Sequence, residues 1–216
     1  MRKRLRTGLL HAALLVLGLC AAPVLAAERP DGQKVLAVWY QLVFDLVRHT
    51  PTYTPPVASR TFAYVGVTAY EATASAPESG LVTLAGQLNG LQTLPPRVAG
   101  QAYDEALVLH AALADVVGKE FFNTGPTGQR ALTAVRDKLG AALGAGLPAD
   151  VQARSQAYGQ VLAAAILGWA AQDGGAAIDN MGFARDFPAA ATPAGWVPTN
   201  KIALQQTPLL PDWGKN

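Results

Sequence analysis

The sequence predicts an all-α fold, a bundle of about five main helices followed by an irregular arm. Apolar residues recur at three- and four-residue steps, the period of a helix that buries one face. Proline and glycine clusters separate these stretches, and a proline pushes the residue before it out of helical conformation. No alternating strand pair and no repeat of solenoid length occurs in the sequence, so both of these architectures are excluded.

The helical stretches have defined starts and ends. Pro96 is predicted in the first turn of the third and longest helix, where its missing N–H is not needed. The turn residues at 123–126 are predicted to end that helix. Residues 77–95, rich in proline and glycine, are predicted to form a loop with one or two helical turns. The predicted helices cover residues 33–48, 57–75, 96–122, 127–143 and 148–172.

The apolar stripes predict which helix faces are buried. Residues 161–171 in the fifth helix are strongly apolar but too few to span a bilayer, which predicts a buried core helix. The stripes are Leu36, Trp39, Val43 and Val47 in the first helix, Phe62, Val65, Ala69 and Tyr70 in the second, and Val151, Tyr158, Leu162, Ile166 and Trp169 in the fifth.

The first residues have the order of a secretory signal. A basic cluster at residues 2–6 precedes an apolar run at residues 9–19, and small residues follow up to Ala26. Cleavage is predicted after Ala26, with export to the periplasm or secretion. An uncleaved anchor is disfavoured because the run is about half the length of a spanning helix and Pro23 interrupts its end. A lipoprotein signal at Cys20 is disfavoured because Leu19 is too bulky.

Removal of the signal changes the charge of the protein. The whole chain has 17 basic and 15 acidic residues, a net charge of +2. Residues 1–26 hold four of the basic residues and none of the acidic ones, which leaves 13 against 15, a net charge of −2. Such a domain lacks the basic footprint of a nucleic-acid or membrane-surface protein. Cys20, the only cysteine, also leaves, which excludes disulfides and thiolate chemistry.

The sequence predicts three parts. Residues 1–26 form the signal, residues 27–174 the helical domain, and residues 175–216 the irregular arm. Five prolines keep the arm out of regular structure, while Trp196 and Trp213 can anchor it to a helical surface. After cleavage no membrane-spanning segment is predicted.

Two histidines lie beyond the signal. His110 has apolar neighbours at helical spacing and no carboxylate or histidine at the third or fourth position on either side, which favours a core residue over a metal ligand or catalytic base. His49 lies at the predicted end of the first helix, where a cation interacts favourably with the helix dipole. We therefore interpret His49 as a capping residue.

Four acidic residues lie near His110 in the sequence. Their spacing directs them away from the histidine, so they do not predict a metal triad and are assigned to a solvated face. The chain contains no phosphate-binding glycine loop, no G-x-S-x-G and no H-E-x-x-H. The four acidic residues are Asp104, Glu105, Asp115 and Glu120.

Four groups of residues resemble, in their order, a known enzyme family. They are Pro55-Pro56-Val57-Ala58-Ser59-Arg60 continuing through Ala63 to Ala69-Tyr70-Glu71-Ala72, then Ile166-Leu167-Gly168-Trp169 with Asp173-Gly174, then Gly195-Trp196-Val197-Pro198-Thr199, and then Leu209-Leu210-Pro211-Asp212-Trp213-Gly214. Together they resemble the N-terminal helical region of bacterial vanadium-dependent haloperoxidases, which are grouped with type 2 phosphatidic acid phosphatases and bacterial acid phosphatases.

The resemblance implies an α-helical fold whose chemistry comes from a second helical half. That half of the family carries Lys-x6-Arg-Pro, Pro-Ser-Gly-His, and a Ser-Arg with a histidine four residues after the arginine. Its basic residues hold vanadate or phosphate through charge-assisted hydrogen bonds. One histidine bonds to vanadium or attacks phosphorus, and the other acts as acid and base.

None of these motifs can be carried over to this chain. Its only Arg-Pro is Arg29-Pro30, with Ala22 where the lysine would stand, and it contains no Gly-His pair. Ser59-Arg60 begins like the last motif, but Tyr64 stands at the histidine position. No catalytic, cofactor-binding or metal-binding residue is therefore assigned.

Two hypotheses follow from the sequence. In the first, the chain is the N-terminal helical part of an exported enzyme of this group, truncated and inactive alone; vanadate is expected only for a full-length haloperoxidase relative. Its partner is then a missing C-terminal catalytic half, or other copies through exposed apolar helix faces. In the second, it is a complete non-enzymatic periplasmic binding or scaffold module whose Trp-containing arm docks to a partner. The motifs do not separate a peroxidase from a phosphatase parent.

Overall fold

The computed structural model describes residues 28–176, and this part of the chain is helical, without strands. The predicted signal and nearly all of the predicted arm lie outside the described residues. A short 3-10 turn at Pro77–Ser79 is the one helical turn in the long connection between the second and third helices. The helices are α1 (Gly32–His49), α2 (Pro55–Ala74), α3 (Glu105–Glu120), α4 (Pro126–Gly144) and α5 (Ala149–Ala170).

α3 is the central helix and packs against each of the other four. It is buried on nearly every side because its residues are mostly small or aliphatic. α1 also packs against α4, and α2 also packs against α5. The largest fully buried side chains around α3 include Trp39 from α1, Phe121 at its own end and Ile166 from α5. The bundle therefore has one continuous core, built around a single helix.

The closest helix crossing lies between α3 and α5. Gly159 of α5 faces α3, where a Cβ atom at this position would lie 2.6 Å from the Val108 carbonyl oxygen and 2.7 Å from the Ala111 Cβ. Glycine is therefore required here for close approach of the two backbones, not for an unusual φ. The crossing brings Tyr158 and Leu162 of α5 into the core.

The helix starts follow from their capping residues. The Asp31 carboxylate accepts a hydrogen bond from the Lys34 N–H at 2.7 Å, and the Asp104 carboxylate accepts one from the Leu107 N–H at 2.9 Å. These bonds satisfy donors that the first turn of a helix leaves free. α2 and α4 instead begin with proline, which lacks that donor.

Four of the five predicted helices are confirmed to within about two residues, as expected for boundary assignments. The predicted start of the third helix is wrong, because α3 begins at Glu105 and not at Pro96. Gly100 in the intervening segment has φ +72°, a left-handed conformation that an α-helix cannot contain. The Asp104 cap then provides the actual start, so a strong N-cap outweighs a well-placed proline.

The predicted stripes are confirmed for the first helix, whose Trp39 and Val43 are fully buried. In α2 the stripe is shifted: Val65 is buried, whereas Phe62 and Tyr70 are only half-buried. α5 buries one face rather than its whole circumference, since Val161 is 53% exposed. The prediction of a core helix at residues 161–171 is confirmed for the face that holds Leu162 and Ile166, while Val161 lies on the exposed face.

None of the helices in residues 28–176 combines the length and apolar character needed to cross a membrane.

Candidate functional site

A group of charged and hydroxyl side chains is buried where the start of α2, the end of α3 and the end of α5 meet. α2 supplies three of its members within about one turn, α3 supplies its last residue, and the fifth member follows α5. We refer to this group as the Arg60 cluster. Its members are Arg60, Thr61, Tyr64, Glu120 and Asp173.

Arg60 lies at the centre of the cluster, with its side chain 8% exposed. Its Nε donates a hydrogen bond to Asp173 Oδ2 at 2.6 Å, and its Nη2 donates to the Ala170 carbonyl at 2.9 Å. Its Nη1 lies 3.4 Å from Glu120 Oε2. The guanidinium carbon also lies 4.7 Å from the centroid of the Tyr64 ring, a cation–π geometry. Each guanidinium nitrogen therefore has a partner within the protein.

Asp173 ties the chain after α5 to α2. Its Oδ2 also accepts a hydrogen bond from the Tyr64 hydroxyl at 2.7 Å, and its Oδ1 accepts one from the Ala176 N–H at 3.0 Å. The Tyr64 ring meets Trp169 edge to face, with 5.1 Å between the ring centroids. One carboxylate thus joins two side chains of α2 to the turn that follows α5.

Glu120 links the end of α3 to α2 and to the segment before α2. Its Oε2 accepts a hydrogen bond from the Thr61 hydroxyl at 2.9 Å, and its backbone carbonyl accepts one from the Tyr53 hydroxyl at 2.5 Å. Tyr53, in the connection between α1 and α2, stacks on Phe121 with 4.4 Å between the ring centroids. The end of α3 is therefore fixed to both the start of α2 and the segment before it.

The pKa shifts in the cluster follow from burial and pairing. Burial raises the pKa of Glu120, and Arg60 opposes that shift only in part. Burial would also raise the pKa of Asp173, but hydrogen bonds from Arg60 and Tyr64 outweigh it and lower the value. Burial and the hydrogen bond to Asp173 raise the pKa of the Tyr64 phenol. Arg60 and Asp173 are thus the principal ion pair, and Glu120 is the weaker partner.

Because of this pairing, the Arg60 cluster does not fit an oxyanion such as vanadate or phosphate. An anion would have to displace carboxylates from the only guanidinium in the cluster, and two buried carboxylates would then face it. Elsewhere in residues 28–176, Arg29, Arg97 and Arg154 are each paired with a carboxylate. Within the same range no three His, Cys, Asp or Glu side chains form a group that could hold a metal ion. The hydrogen bonds of the Arg60 cluster link α2 to the end of α3 and to the turn after α5.

A second buried carboxylate anchors the connection between α2 and α3. Glu71 is 3% exposed, and its Oε1 and Oε2 accept hydrogen bonds from the Leu84 N–H at 2.5 Å and the Thr83 hydroxyl at 2.8 Å. Further along, the Asn89 carbonyl accepts a hydrogen bond from Trp169 Nε1 at 3.0 Å. The connection is therefore held against α2 at one point and against α5 at another.

Arg97 holds the later part of the same connection. Its guanidinium donates two hydrogen bonds to the Glu105 carboxylate, at 2.6 and 2.5 Å, and lies over the rings of Tyr103 and Tyr158, 5.0 and 5.2 Å from their centroids. It also donates to the Ser75 hydroxyl at the end of α2. This arginine is a bidentate, stacked linker, a role for which its planar shape is suited.

The prediction that His110 is a core residue is confirmed. Its side chain is 4% exposed, and its Nδ1 accepts a hydrogen bond from Trp39 Nε1 at 3.1 Å. A Cβ atom at Gly140 would lie 3.1 Å from His110 Nε2, so α4 approaches the imidazole closely. His49 is the last residue of α1 and is exposed, as expected for a residue at a helix C-terminus.

The assignment of four acidic residues to a solvated face is correct for Glu105 and Asp115, which are exposed. It is wrong for Glu120, which is 6% exposed and belongs to the Arg60 cluster. Asp104 is half-buried because it caps α3 and forms an ion pair with Arg29 at 2.7 Å. Asp104 therefore has a structural role as a helix cap and ion-pair partner. The spacing of apolar residues in the sequence did not indicate this role.

The fold brings together two sequence motifs through Arg60 and Asp173, which lie 113 residues apart in the sequence. Arg60 belongs to the first group of resembling residues, while Trp169 and Asp173 belong to the second, and the Arg60 cluster joins them directly. No spacing rule pairs Arg60 with Asp173. The sequence pointed to these two segments only because both resemble motifs of the haloperoxidase family.

A solved structure with a similar fold is that of the first bacterial vanadium-dependent iodoperoxidase. It shares 27% sequence identity with this chain at a TM-score of 0.58, over 70% of this chain. The chain has a haloperoxidase-like helical fold. The match covers 36% of the iodoperoxidase, so this chain spans well under half of that protein. No family model matches the sequence, and no curated protein matches it.

The haloperoxidase-like fold agrees with the resemblance to an N-terminal helical region. The described helices amount to a bundle with its own core, and the buried ion pairs lie between helices of that bundle. Arg60, Trp169 and Asp173, which belong to the first two motifs, therefore help to hold this haloperoxidase-like bundle together.

Proposed function

We propose that this chain serves as the exported N-terminal helical part of a vanadium-dependent haloperoxidase-like or phosphatidic acid phosphatase-like enzyme. The observation that carries the proposal is the structural match to the iodoperoxidase, which covers 70% of this chain but 36% of that protein. In this role the bundle is a scaffold, and a catalytic half supplies the residues that bind vanadate or phosphate. The chain alone is expected to be inactive.

The buried charges of the bundle support a scaffold role. In residues 28–176 the arginines that are most enclosed, Arg60 and Arg97, are both engaged by carboxylates and aromatic rings. In the family that the sequence resembles, halide oxidation by peroxide uses bound vanadate and an acid–base histidine beside it. The His110 imidazole is 4% exposed and hydrogen-bonded to Trp39, and it lies at the edge of a cavity that Arg136 also lines.

A catalytic half would find exposed apolar side chains to cover. In residues 28–176 six large apolar side chains are exposed, some on α1 and α5 and others in the connecting segments. A catalytic half would bury part of this surface, and other copies of the chain would do so in its absence. These side chains are Phe44, Leu81, Val82, Val98, Phe122 and Val161.

The coding strand after the codon for Asn216 provides a direct test. Lys-x6-Arg-Pro and Pro-Ser-Gly-His in any frame would support a catalytic half that belongs to this bundle. Absence of both, combined with a monomeric, cooperatively unfolding protein in sedimentation and denaturation experiments, would contradict the proposal. That outcome would favour the non-enzymatic periplasmic module instead.

A further inference from the structure

A cavity of about 530 Å³ lies between the end of α2, the connection that follows it and the start of α3. The exposed residues Val98 and Gln101 lie at its rim, so a ligand can enter from solvent. A cavity of this size holds a small organic molecule. Its wall is mostly apolar and includes Ala74, Leu94, Pro95, Tyr103, Tyr158 and Leu162.

Glu71 lies in the wall of this cavity without a cation beside it. In the described part of the chain two glutamates are almost completely buried, Glu71 at 3% and Glu120 at 6% exposure. Glu120 has the Arg60 guanidinium 3.4 Å away, whereas Glu71 forms no ion pair in that part of the chain. Its hydrogen bonds come from the uncharged Thr83 hydroxyl and Leu84 N–H. Because carboxylates are rarely buried without a partner charge, a cation from outside the bundle would complete this site.

Arg97 lines the same cavity, but its charge is already balanced. Its guanidinium donates two hydrogen bonds to the Glu105 carboxylate, at 2.6 and 2.5 Å, and further hydrogen bonds to the Ser75 hydroxyl. The charged residues that line the cavity are one arginine and two glutamates, a net charge of 1 − 2 = −1. Since Glu105 balances Arg97, the remaining negative charge is that of Glu71.

These charges determine which class of ligand the cavity suits. An anion would have to displace Glu105 from Arg97 and would then face the Glu71 carboxylate. A neutral molecule would leave Glu71 without a counter-ion. A metal ion needs several protein ligands, and in residues 28–176 no three His, Cys, Asp or Glu side chains form a group that could hold one. An organic ammonium group on an apolar body suits both the negative charge and the apolar wall.

From these observations we propose that the cavity binds a small primary amine in its ammonium form. The ammonium group donates a charge-assisted hydrogen bond to the Glu71 carboxylate, and the apolar body packs against Leu94 and Leu162. The site is built from residues of this bundle alone. It therefore does not depend on a catalytic half, and its test is separate from that of the proposed function.

Calorimetric titration of the purified full chain with phenethylammonium tests this proposal. Phenethyl alcohol, which has the same apolar body without the charge, is the matched ligand. We expect the ammonium compound to bind at least about tenfold more tightly, because hydrogen bonds to charged groups are the stronger ones. Amide NMR signals of Thr83 and Leu84 should shift on binding, whereas that of Thr133, exposed on α4, should not.

A variant at Glu71 tests the charge directly. Glu71→Gln removes the negative charge but keeps an acceptor for the Leu84 N–H. It should lower the affinity for phenethylammonium at least about tenfold and leave the affinity for phenethyl alcohol unchanged. Glu78→Gln, at an exposed site in the 3-10 turn, is the matched control and should bind both ligands as the wild type does. Circular dichroism establishes that both variants are helical.

Several results would overturn the proposal. Equal affinities of the wild-type chain for the ammonium and the alcohol, or no binding of either, would show that the cavity does not select a cation, and this comparison needs no variant. Unchanged affinity in folded Glu71→Gln would show that another group binds the ammonium. Tighter binding of phenylacetate than of phenethylammonium would assign the cavity to an anion held by Arg97.

Discussion

Trp39 Nε1 donates a hydrogen bond to His110 Nδ1 at 3.1 Å inside the core, so this imidazole nitrogen serves as an acceptor. Burial lowers the pKa of His110 from 6.5 to about 4, opposed only in part by a backbone hydrogen bond with Arg136. The unfolded chain therefore takes up this proton at a higher pH than the folded chain. The contribution of His110 to stability is complete above pH 6.5 and is lost as the pH falls towards 4.

We expect the free energy of unfolding to fall by roughly 3 kcal/mol across this window on account of His110. Urea denaturation at a series of pH values measures it. His110→Gln keeps an acceptor for Trp39 but does not titrate, so this variant should show a flatter pH dependence. His49→Gln, at an exposed position, is the matched control and should retain the wild-type slope. An equal slope in His110→Gln and wild type would show that the histidine is not the cause.

Loss of Arg60 should strongly destabilise the bundle. Arg60→Ala removes the guanidinium that pairs with the buried Asp173 and Glu120 carboxylates, and the loss of one partner of a buried ion pair costs about 3–5 kcal/mol. Chemical denaturation measures the difference. Arg130→Ala removes an exposed arginine from α4 and should change stability by less than about 0.5 kcal/mol. Similar small effects of both changes would contradict the structural role of the Arg60 cluster.

Replacement of two glycines of α5 by alanine should change the stability of the bundle in opposite directions. Gly159→Ala places a Cβ atom against the Val108 carbonyl and the Ala111 side chain, so the α3–α5 crossing must open, at a cost of about 1–3 kcal/mol. Gly168→Ala meets nothing within 4 Å and should stabilise the helix by about 0.5–1 kcal/mol. Thermal unfolding of the two variants compares them directly. Destabilisation by Gly168→Ala, or tolerance of Gly159→Ala, would argue against this helix packing.

The Glu71 carboxylate should control the order of the α2–α3 connection. Glu71→Ala removes the acceptors of the Leu84 N–H and the Thr83 hydroxyl, and a charge-assisted bond of this kind contributes about 1.5–3 kcal/mol. Amide hydrogen exchange at Leu84 should therefore accelerate at least about tenfold. Glu78→Ala, at an exposed site in the 3-10 turn, should leave the Leu84 rate unchanged. Unchanged exchange in Glu71→Ala would show that another contact holds the connection.

The helix order of this protein could be predicted because it depends on local patterns. Trp39 and Val43 repeat at helical spacing, and the apolar face that they predict is the one that α3 covers. The start of α3 was predicted wrongly because two local signals compete, Pro96 as a first-turn residue and Asp104 as a cap. Gly100 has a left-handed backbone conformation, which prevents a helix from running from Pro96 into α3. The φ angle of a glycine cannot be predicted from the sequence pattern.

The Arg60 cluster could not be predicted because its contacts are not local. Glu120 stands beside Lys119 in a helix pattern that suits a solvated residue, and its burial depends on Arg60 from another helix. Asp173 reaches the same guanidinium from beyond the end of α5. Glu120 and Asp173 are charged and do not belong to the apolar stripe of a helix, so the sequence pattern gives no reason to expect them to be buried. Their burial follows from the tertiary packing around Arg60.

The most direct test of the proposed function is the vanadate-dependent oxidation of iodide by the purified chain in the presence of hydrogen peroxide. Circular dichroism first establishes that the sample is helical. The account predicts an initial rate equal to that of vanadate and peroxide without protein, because the sequence lacks the family's anion-binding motifs and the guanidinium of the Arg60 cluster is already paired with carboxylates. Sustained turnover above that background, abolished when vanadate is omitted, would contradict it.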